Sequence, residues 1–239
     1  MSRPGLDNFR CFNKIPLMGR NLKFSVGEFY HLYSRGTEKR KIFISDKDYE
    51  RFLALIYVCN NTGNLHLSDY PKANLKNLLE LERKNQLVDI GVYCLIPNHF
   101  HILIKEKIEN GISIFMHKLL TAYTMYFNKK YERTGILFQS RFQAIHVNND
   151  NYLKYLFAYI HLNPIKLIDR KWKEEGIRDL KKAEKFLKNY PYSSYLDYTV
   201  KDERLNSKIL NKFAFPNYFE NQESFIKEMR EWLNFKPLL

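Results

Sequence analysis

The run from Leu87 to Lys105, LVDIGVYCLIPNHFHILIK, constrains the chain more than any other segment. Leu87 to Ile96 and Phe100 to Lys105 are apolar and β-rich, and Pro97-Asn98 interrupts them. Two such runs separated by a turn dipeptide predict neighbouring strands joined as a hairpin. Side chains on a strand alternate between its faces. Phe100, Ile102 and Ile104 therefore share the face expected to enter the core, and His99 and His101 project together from the other.

Further elements read off around this hairpin. Phe29 to Arg35 (FYHLYSR), closed by Gly36, suits a strand, as does Phe142 to Val147 (FQAIHV). Ser45 followed by Asp48 resembles a helix N-cap with an acid at the third position, and Tyr49, Phe52, Leu53 and Ile56 then recur at helical spacing. Residues 61 to 73 are turn-rich and precede a helical stretch expected over Asn74 to Lys84. Ile112, Phe115, Leu119, Ala122 and Tyr126 mark an amphipathic helix ending near Lys130. Asp150 is the expected cap of a helix running to about Asn163, where Pro164 stops or bends it. Residues 166 to 190 are charge-dense, and Phe225, Ile226, Met229, Trp232 and Leu233 mark a last amphipathic helix. The order strand, helix, strand, strand, helix, strand, helix predicts an α+β fold in which helices flank an antiparallel sheet. The organisation expected is a basic N-terminal arm at 1–23, one domain at 24–198 with a loop and helix excursion at 61–84, and a helical C-terminal extension at 199–239.

Charge narrows the partners. The 239 residues hold 39 Lys and Arg against 26 Asp and Glu, a formal net charge of +13, which favours a polyanion: nucleic acid first, an anionic membrane surface second. Aromatic residues at 15% argue against a disordered basic tail. The longest apolar run, Phe52 to Cys59, is far short of the roughly 18 residues of a membrane span. Cys11, Cys59 and Cys94 form no CxxC pattern, which disfavours a disulfide framework and a cysteine-based zinc site and makes a reducing cytoplasm the expected location.

Two constellations carry chemistry. His99 and His101 are either a pair of surface histidines or two ligands of one divalent metal ion. In the helix DNYLKYLFAYIHLN, Leu153, Leu156, Phe157 and Ile160 form an apolar stripe, and Tyr152, Tyr155, Tyr159 and Asn163 form a second stripe beside it. That second stripe is either a tyrosine-rich boundary between core and solvent or a source of a nucleophilic oxygen with an amide oxygen one turn on. His161 points elsewhere on the same projection and is not expected to ligate. Taken together, a histidine pair and a remote carboxamide supply three ligands, and a tyrosine beside the third could attack a phosphate polarised by the metal.

PNHFH after a strand and YIHLNP later in the chain resemble the single-tyrosine HUH transposases, in which a hydrophobic residue separates two histidines; the REP-associated tyrosine transposases and related insertion-sequence enzymes look most similar. YHLYSRG at 30–36, GILFQSRF at 135–142, NPIK at 163–166 and YPYSSY at 190–195 extend the resemblance over roughly residues 28 to 198. It implies the ferredoxin/RRM-like HUH fold, with His99, His101 and Asn163 as ligands of Mg²⁺ or Mn²⁺ and Tyr159 as nucleophile. Some relatives carry Gln where this chain has Asn163, and Tyr152 and Tyr155 share the stripe with Tyr159. The reaction implied is cleavage and rejoining of single-stranded, hairpin-containing DNA through a 5′-phosphotyrosine, by a monomer or a homodimer. No nucleoside triphosphate is needed, and no GxxxxGK[ST] loop is present. Imidazole and amide ligands also accept other divalent metals, so the metal's identity rests on the resemblance. Arg35, Lys105, Lys118, Lys129, Lys130, Arg141 and Lys166 are the basic residues expected to meet DNA, and His31 is expected to be a packed strand histidine. Two rival readings stand beside this one: a non-catalytic DNA-binding relative acting as a repressor or hairpin binder, and a nuclease in which water attacks.

Overall fold

Four strands, β1 (Phe29–Arg35), β2 (Val88–Ile96), β3 (His99–Glu106) and β4 (Gln143–Val147), form one antiparallel sheet in the order β2-β3-β1-β4. The computed structural model describes residues 22–63 and 74–234, so the basic arm, but for its last two residues, and the middle of the 61–84 excursion lie outside the described residues. The expected hairpin is β2 and β3, with Ile96 opposite His99 across Pro97-Asn98. That turn is held from outside. The carbonyl of Pro97 accepts from the Ile42 and Phe43 amides at 2.8 and 3.0 Å, and that of Asn98 accepts from Gly36 at 3.0 Å.

One face of the sheet is covered by α1 (Asp46–Cys59) and α3 (Gly111–Lys130). Tyr30, Leu32, Phe100, Ile102 and Ile104 meet Phe52, Phe115, Leu119 and Tyr123 there, as the alternation of β3 requires. The Asp48 carboxylate accepts from the Ser45 amide at 2.9 Å, the acidic half of the expected cap. Along α3 the buried stripe passes through Ile112, Phe115, Met116, Leu119, Tyr123 and Phe127; the expected Ala122 and Tyr126 lie at its rim.

The opposite face is covered by α4 (Asp150–His161), α6 (Leu180–Lys188) and α8 (Gln222–Asn234). Leu153, Leu156, Phe157 and Ile160 of α4 are buried against Val92, Cys94 and Leu103, and Phe225, Met229, Trp232 and Leu233 of α8 enter the same core. The helix is capped one residue earlier than expected: Asn149 Oδ1 accepts from the Tyr152 amide at 2.7 Å, and Asp150 is the first helical residue.

Strand β2 serves both cores because its alternation changes phase. Val88, Ile90, Tyr93 and Leu95 face α1 and α3, whereas Val92, Cys94 and Ile96 face α4. The switch is a β-bulge between Ile90 and Val92, at Gly91. The ring of Phe215 lies so close there that a Cβ on Gly91 would come within 2.8 Å of it. The outer edge of β2 is closed by the segment that includes YPYSSY: Leu95 N–H donates to the Tyr192 carbonyl, Ser194 N–H to that of Tyr93, and the Tyr190 hydroxyl to that of Leu95.

One expected helix is much shorter. The stretch from Asn74 to Lys84 gives only α2 (Leu75–Leu79), capped by Asn74 and Asn77. Beyond it the Tyr57 hydroxyl takes the Leu81 carbonyl at 2.9 Å and the Arg83 guanidinium lies 3.7 Å from the Tyr57 ring centroid, so tertiary contacts replace the helix's own. Two short helices complete the chain, α5 (Trp172–Glu175) and α7 (Tyr195–Thr199). No helix among the described residues is long and apolar enough to cross a membrane.

Candidate functional site

The histidine pair lies on the α4 face of β3, where the register sets Arg35 opposite His99 and Tyr33 opposite His101 across β1. The two imidazoles have centroids 5.0 Å apart. His99 Nδ1 lies 2.7 Å from Asn98 Oδ1, and His101 Nδ1 lies 2.9 Å from His31 Nε2. Asn98 Oδ1 can only accept, so His99 carries its proton on Nδ1; the same tautomer at His101 lets it donate to His31. Each ring then keeps an Nε2 lone pair that bonds to no group among the described residues, the arrangement in which a second-layer acceptor orients a metal-binding histidine.

The helix supplies the other half. The Tyr159 ring meets His101 edge-on at 5.6 Å and His31 at 5.9 Å. In the same stripe, Tyr155 is buried and its ring lies 5.5 Å from that of Trp232. Asn163 opens a 3₁₀ turn, Asn163–Leu167, with Pro164 at its start. Asn163 is fully buried, and among the described residues neither polar atom of its carboxamide has a partner at hydrogen-bonding geometry, the Tyr159 hydroxyl being its nearby polar neighbour. Native proteins rarely leave such a group unsatisfied, because its lost hydration is not replaced.

Electrostatics suit an anion entering among neutral ligands. Burial, with Arg35, Lys166 and Lys173 nearby, lowers the His99 pKa to about 3, and burial lowers that of His101 well below the usual value, so both imidazoles are neutral. Burial raises the Tyr159 phenol to about 12, against a smaller opposing effect of the nearby Asn163 carboxamide. Arg35 is exposed and Lys166 half-buried, and both act on His99. Among the described residues no group of three or more His, Cys, Asp or Glu could hold a metal. His99, His101 and Asn163 offer donors of the kind a divalent ion accepts: two Nε2 lone pairs and an amide oxygen that bond to no other group among the described residues.

The other basic residues divide by face. Lys105, on the histidine face of β3, reaches over the Phe29 ring at 5.5 Å. Arg141 is exposed in the segment that joins Arg35, where the Gln139 amide donates to the Arg35 carbonyl at 2.8 Å. Lys118 and Lys130 belong to α3, across the sheet from the histidines. The ammonium of Lys118 donates to the carbonyls of Asn61 and Gly63, and that of Lys130 to Asp48. Lys129 is exposed at the end of α3. His161 points away, as expected, with Nε2 2.8 Å from Ser194 Oγ. Sequence reasoning missed two neighbours of the site: His31, which is packed as expected but also bonds His101, and Lys173, whose Nζ lies 3.7 Å from the Tyr159 ring centroid. The alternation of β1 against β3 carried a signal for His31; nothing local distinguished Lys173 from its charged neighbours.

An antiparallel sheet thus carries paired histidines on a central strand, facing a helix that presents Tyr159 and the 3₁₀ turn after it that holds Asn163. The family described as "Transposase IS200 like" matches residues 29–163, more than half of the chain, and the protein belongs to that family. A solved structure of a REP-associated tyrosine transposase bound to a REP hairpin is similar over 75% of this chain and 84% of that one, with 11% identity and a TM-score of 0.47. No curated protein matches.

Proposed function

We propose that the protein cleaves and rejoins single-stranded DNA by transferring a strand to Tyr159. The observation that carries this reading is the meeting of the Tyr159 ring with His101 beside a buried carboxamide that lacks a partner. His99, His101 and Asn163 would hold Mg²⁺ or Mn²⁺, which when bound supplies Lewis-acid polarisation of the scissile phosphate. Tyr159 Oη forms a bond to phosphorus, the bond from phosphorus to the 3′ oxygen breaks, and the proton lost by the phenol is balanced by one gained on the departing 3′-hydroxyl. The fragment on the 3′ side of the cut is left on the tyrosine through its 5′ phosphate. Attack by a 3′-hydroxyl reverses the step and joins a new strand. Arg35 and Lys166 would draw in the phosphate backbone, with Lys105, Lys129 and Arg141 as outer contacts. Lys118 and Lys130 are the weaker members of the expected DNA set, since protein groups already take their ammonium protons. The family suggests hairpin-containing DNA in the cytoplasm as the substrate.

The test is incubation with labelled single-stranded hairpin DNA and Mn²⁺, followed by a denaturing gel. A covalent adduct that disappears in Tyr159→Phe supports the reading. Cleavage that survives this substitution assigns the attack to water instead. Binding without cleavage or adduct makes the protein a hairpin binder.

A further inference from the structure

Lys173 is a buried ionisable group beside the site that strand transfer to Tyr159 leaves without a role. It lies in α5 and is 5% exposed, and its Nζ has no hydrogen-bond partner among the described residues. Its surroundings are the face of the Tyr159 ring at 3.7 Å and the Trp172 ring at 5.5 Å. An ammonium offers three donors, and an aromatic face satisfies it only in part. The charges acting on it are Lys166, which repels, and Glu174, which attracts; burial outweighs both and pushes its pKa well below that of an ordinary lysine. Its own field reaches His31, His99 and His101. An amine so desolvated and without a hydrogen-bond partner burdens the fold, charged or neutral, unless function supplies a counterion.

We infer that Lys173 is a further catalytic residue, one that binds a non-bridging oxygen of the scissile phosphate while Tyr159 attacks. The inference rests on the strand-transfer reading. A phosphodiester brings the negative charge and acceptor oxygens that this pocket lacks. Because Nζ lies over the ring rather than against the hydroxyl, Tyr159 Oη stays free to reach phosphorus. With the phosphodiester bound, its negative charge opposes the effect of burial and Lys173 holds its proton throughout: the Oη to phosphorus bond forms, the bond to the 3′ oxygen breaks, and the ammonium stabilises charge on the phosphoryl oxygens in passing.

Lys173→Met and Lys173→Arg test this beside the wild type, in three measurements. Without DNA, Lys173→Met should melt at a higher temperature than the wild type, because it keeps the packing and removes the unsatisfied buried amine. Inorganic phosphate, against chloride at equal ionic strength, should raise the melting temperature of the wild type and not that of Lys173→Met. With labelled hairpin DNA and Mn²⁺, single-turnover adduct formation should fall by about 100-fold in Lys173→Met and be partly restored in Lys173→Arg. A Lys173→Met protein that melts lower or fails to fold, an equal phosphate shift in both proteins, or an undiminished adduct rate would each overturn the inference. A wild type that forms no adduct overturns the strand-transfer reading instead, and the two melting experiments still decide whether Lys173 awaits an anion.

Discussion

Replacing Asn163 by Leu separates a ligand from an ordinary core amide. The side chain is fully buried and among the described residues its carboxamide has no partner at hydrogen-bonding geometry, so in the metal-free protein its polarity is a burden. An unsatisfied buried polar group costs about 1–3 kcal/mol; leucine has the same branched four-atom skeleton with bulkier methyl groups, so fitting it should cost about 1 kcal/mol. Asn163→Leu should therefore be more stable than the wild type by up to about 2 kcal/mol, or a few degrees in Tm for a chain of this size. Urea unfolding followed by the fluorescence of Trp172 and Trp232, the two tryptophans, measures this directly, since both sit in the core that carries the site. Mn²⁺ should reverse the order. At 100 times its Kd the ion would add about 2.7 kcal/mol to the wild type, and far less to a variant with one ligand fewer. A variant that is less stable without metal, and that gains as much from Mn²⁺ as the wild type, would refute the argument.

Other perturbations probe the frame around the site. Burial, opposed by Arg204 and Lys212, raises Asp197 from 3.8 to about 6, so the folded protein binds its proton more tightly than the unfolded chain. The stability this contributes is present below pH 4 and lost as pH rises to about 6, so Asp197→Asn should gain on the wild type by roughly 3 kcal/mol over that interval; a constant difference in urea midpoints would refute it. Gly91→Ala forces a methyl group against Phe215 and should cost about 1–3 kcal/mol, most of it recovered in the double variant with Phe215→Leu. Lys130→Met removes a partner of the buried Asp48 carboxylate and should cost about 2 kcal/mol in thermal or urea unfolding. It should leave the salt dependence of DNA binding unchanged, whereas Lys166→Met should make that dependence shallower.

What could be read in advance depended on periodicity. Alternation put His99 and His101 on one face of β3, and helical spacing put Tyr159 and Asn163 on one stripe, because both patterns are local, although Asn163 lies just past the end of α4 in a 3₁₀ turn. The meeting of those two faces depends on which side of the sheet α4 covers, and the resemblance supplied that. The phase change at Gly91 carried a faint signal, a lone glycine inside a strand, but an apolar run that feeds two cores hides it. The helix expected to Lys84 was lost to Tyr57, a partner distant in sequence. Lys173 stands in a charge-dense stretch that looks solvated, and its burial is decided by packing against Tyr159.

Strand β3 is paired on both sides, and its turn is bonded from the segment 36–43. The two imidazoles therefore belong to the part of the molecule that opens last, while Asn163 and Lys173 hang on a 3₁₀ turn and a single turn of helix. In deuterium exchange the amides of β3 should be the slowest to label, and those from 163 to 175 should label earlier and be the ones that DNA slows. Such a division would let the substrate finish assembling the site by tightening its lesser half, with the histidines already waiting in register.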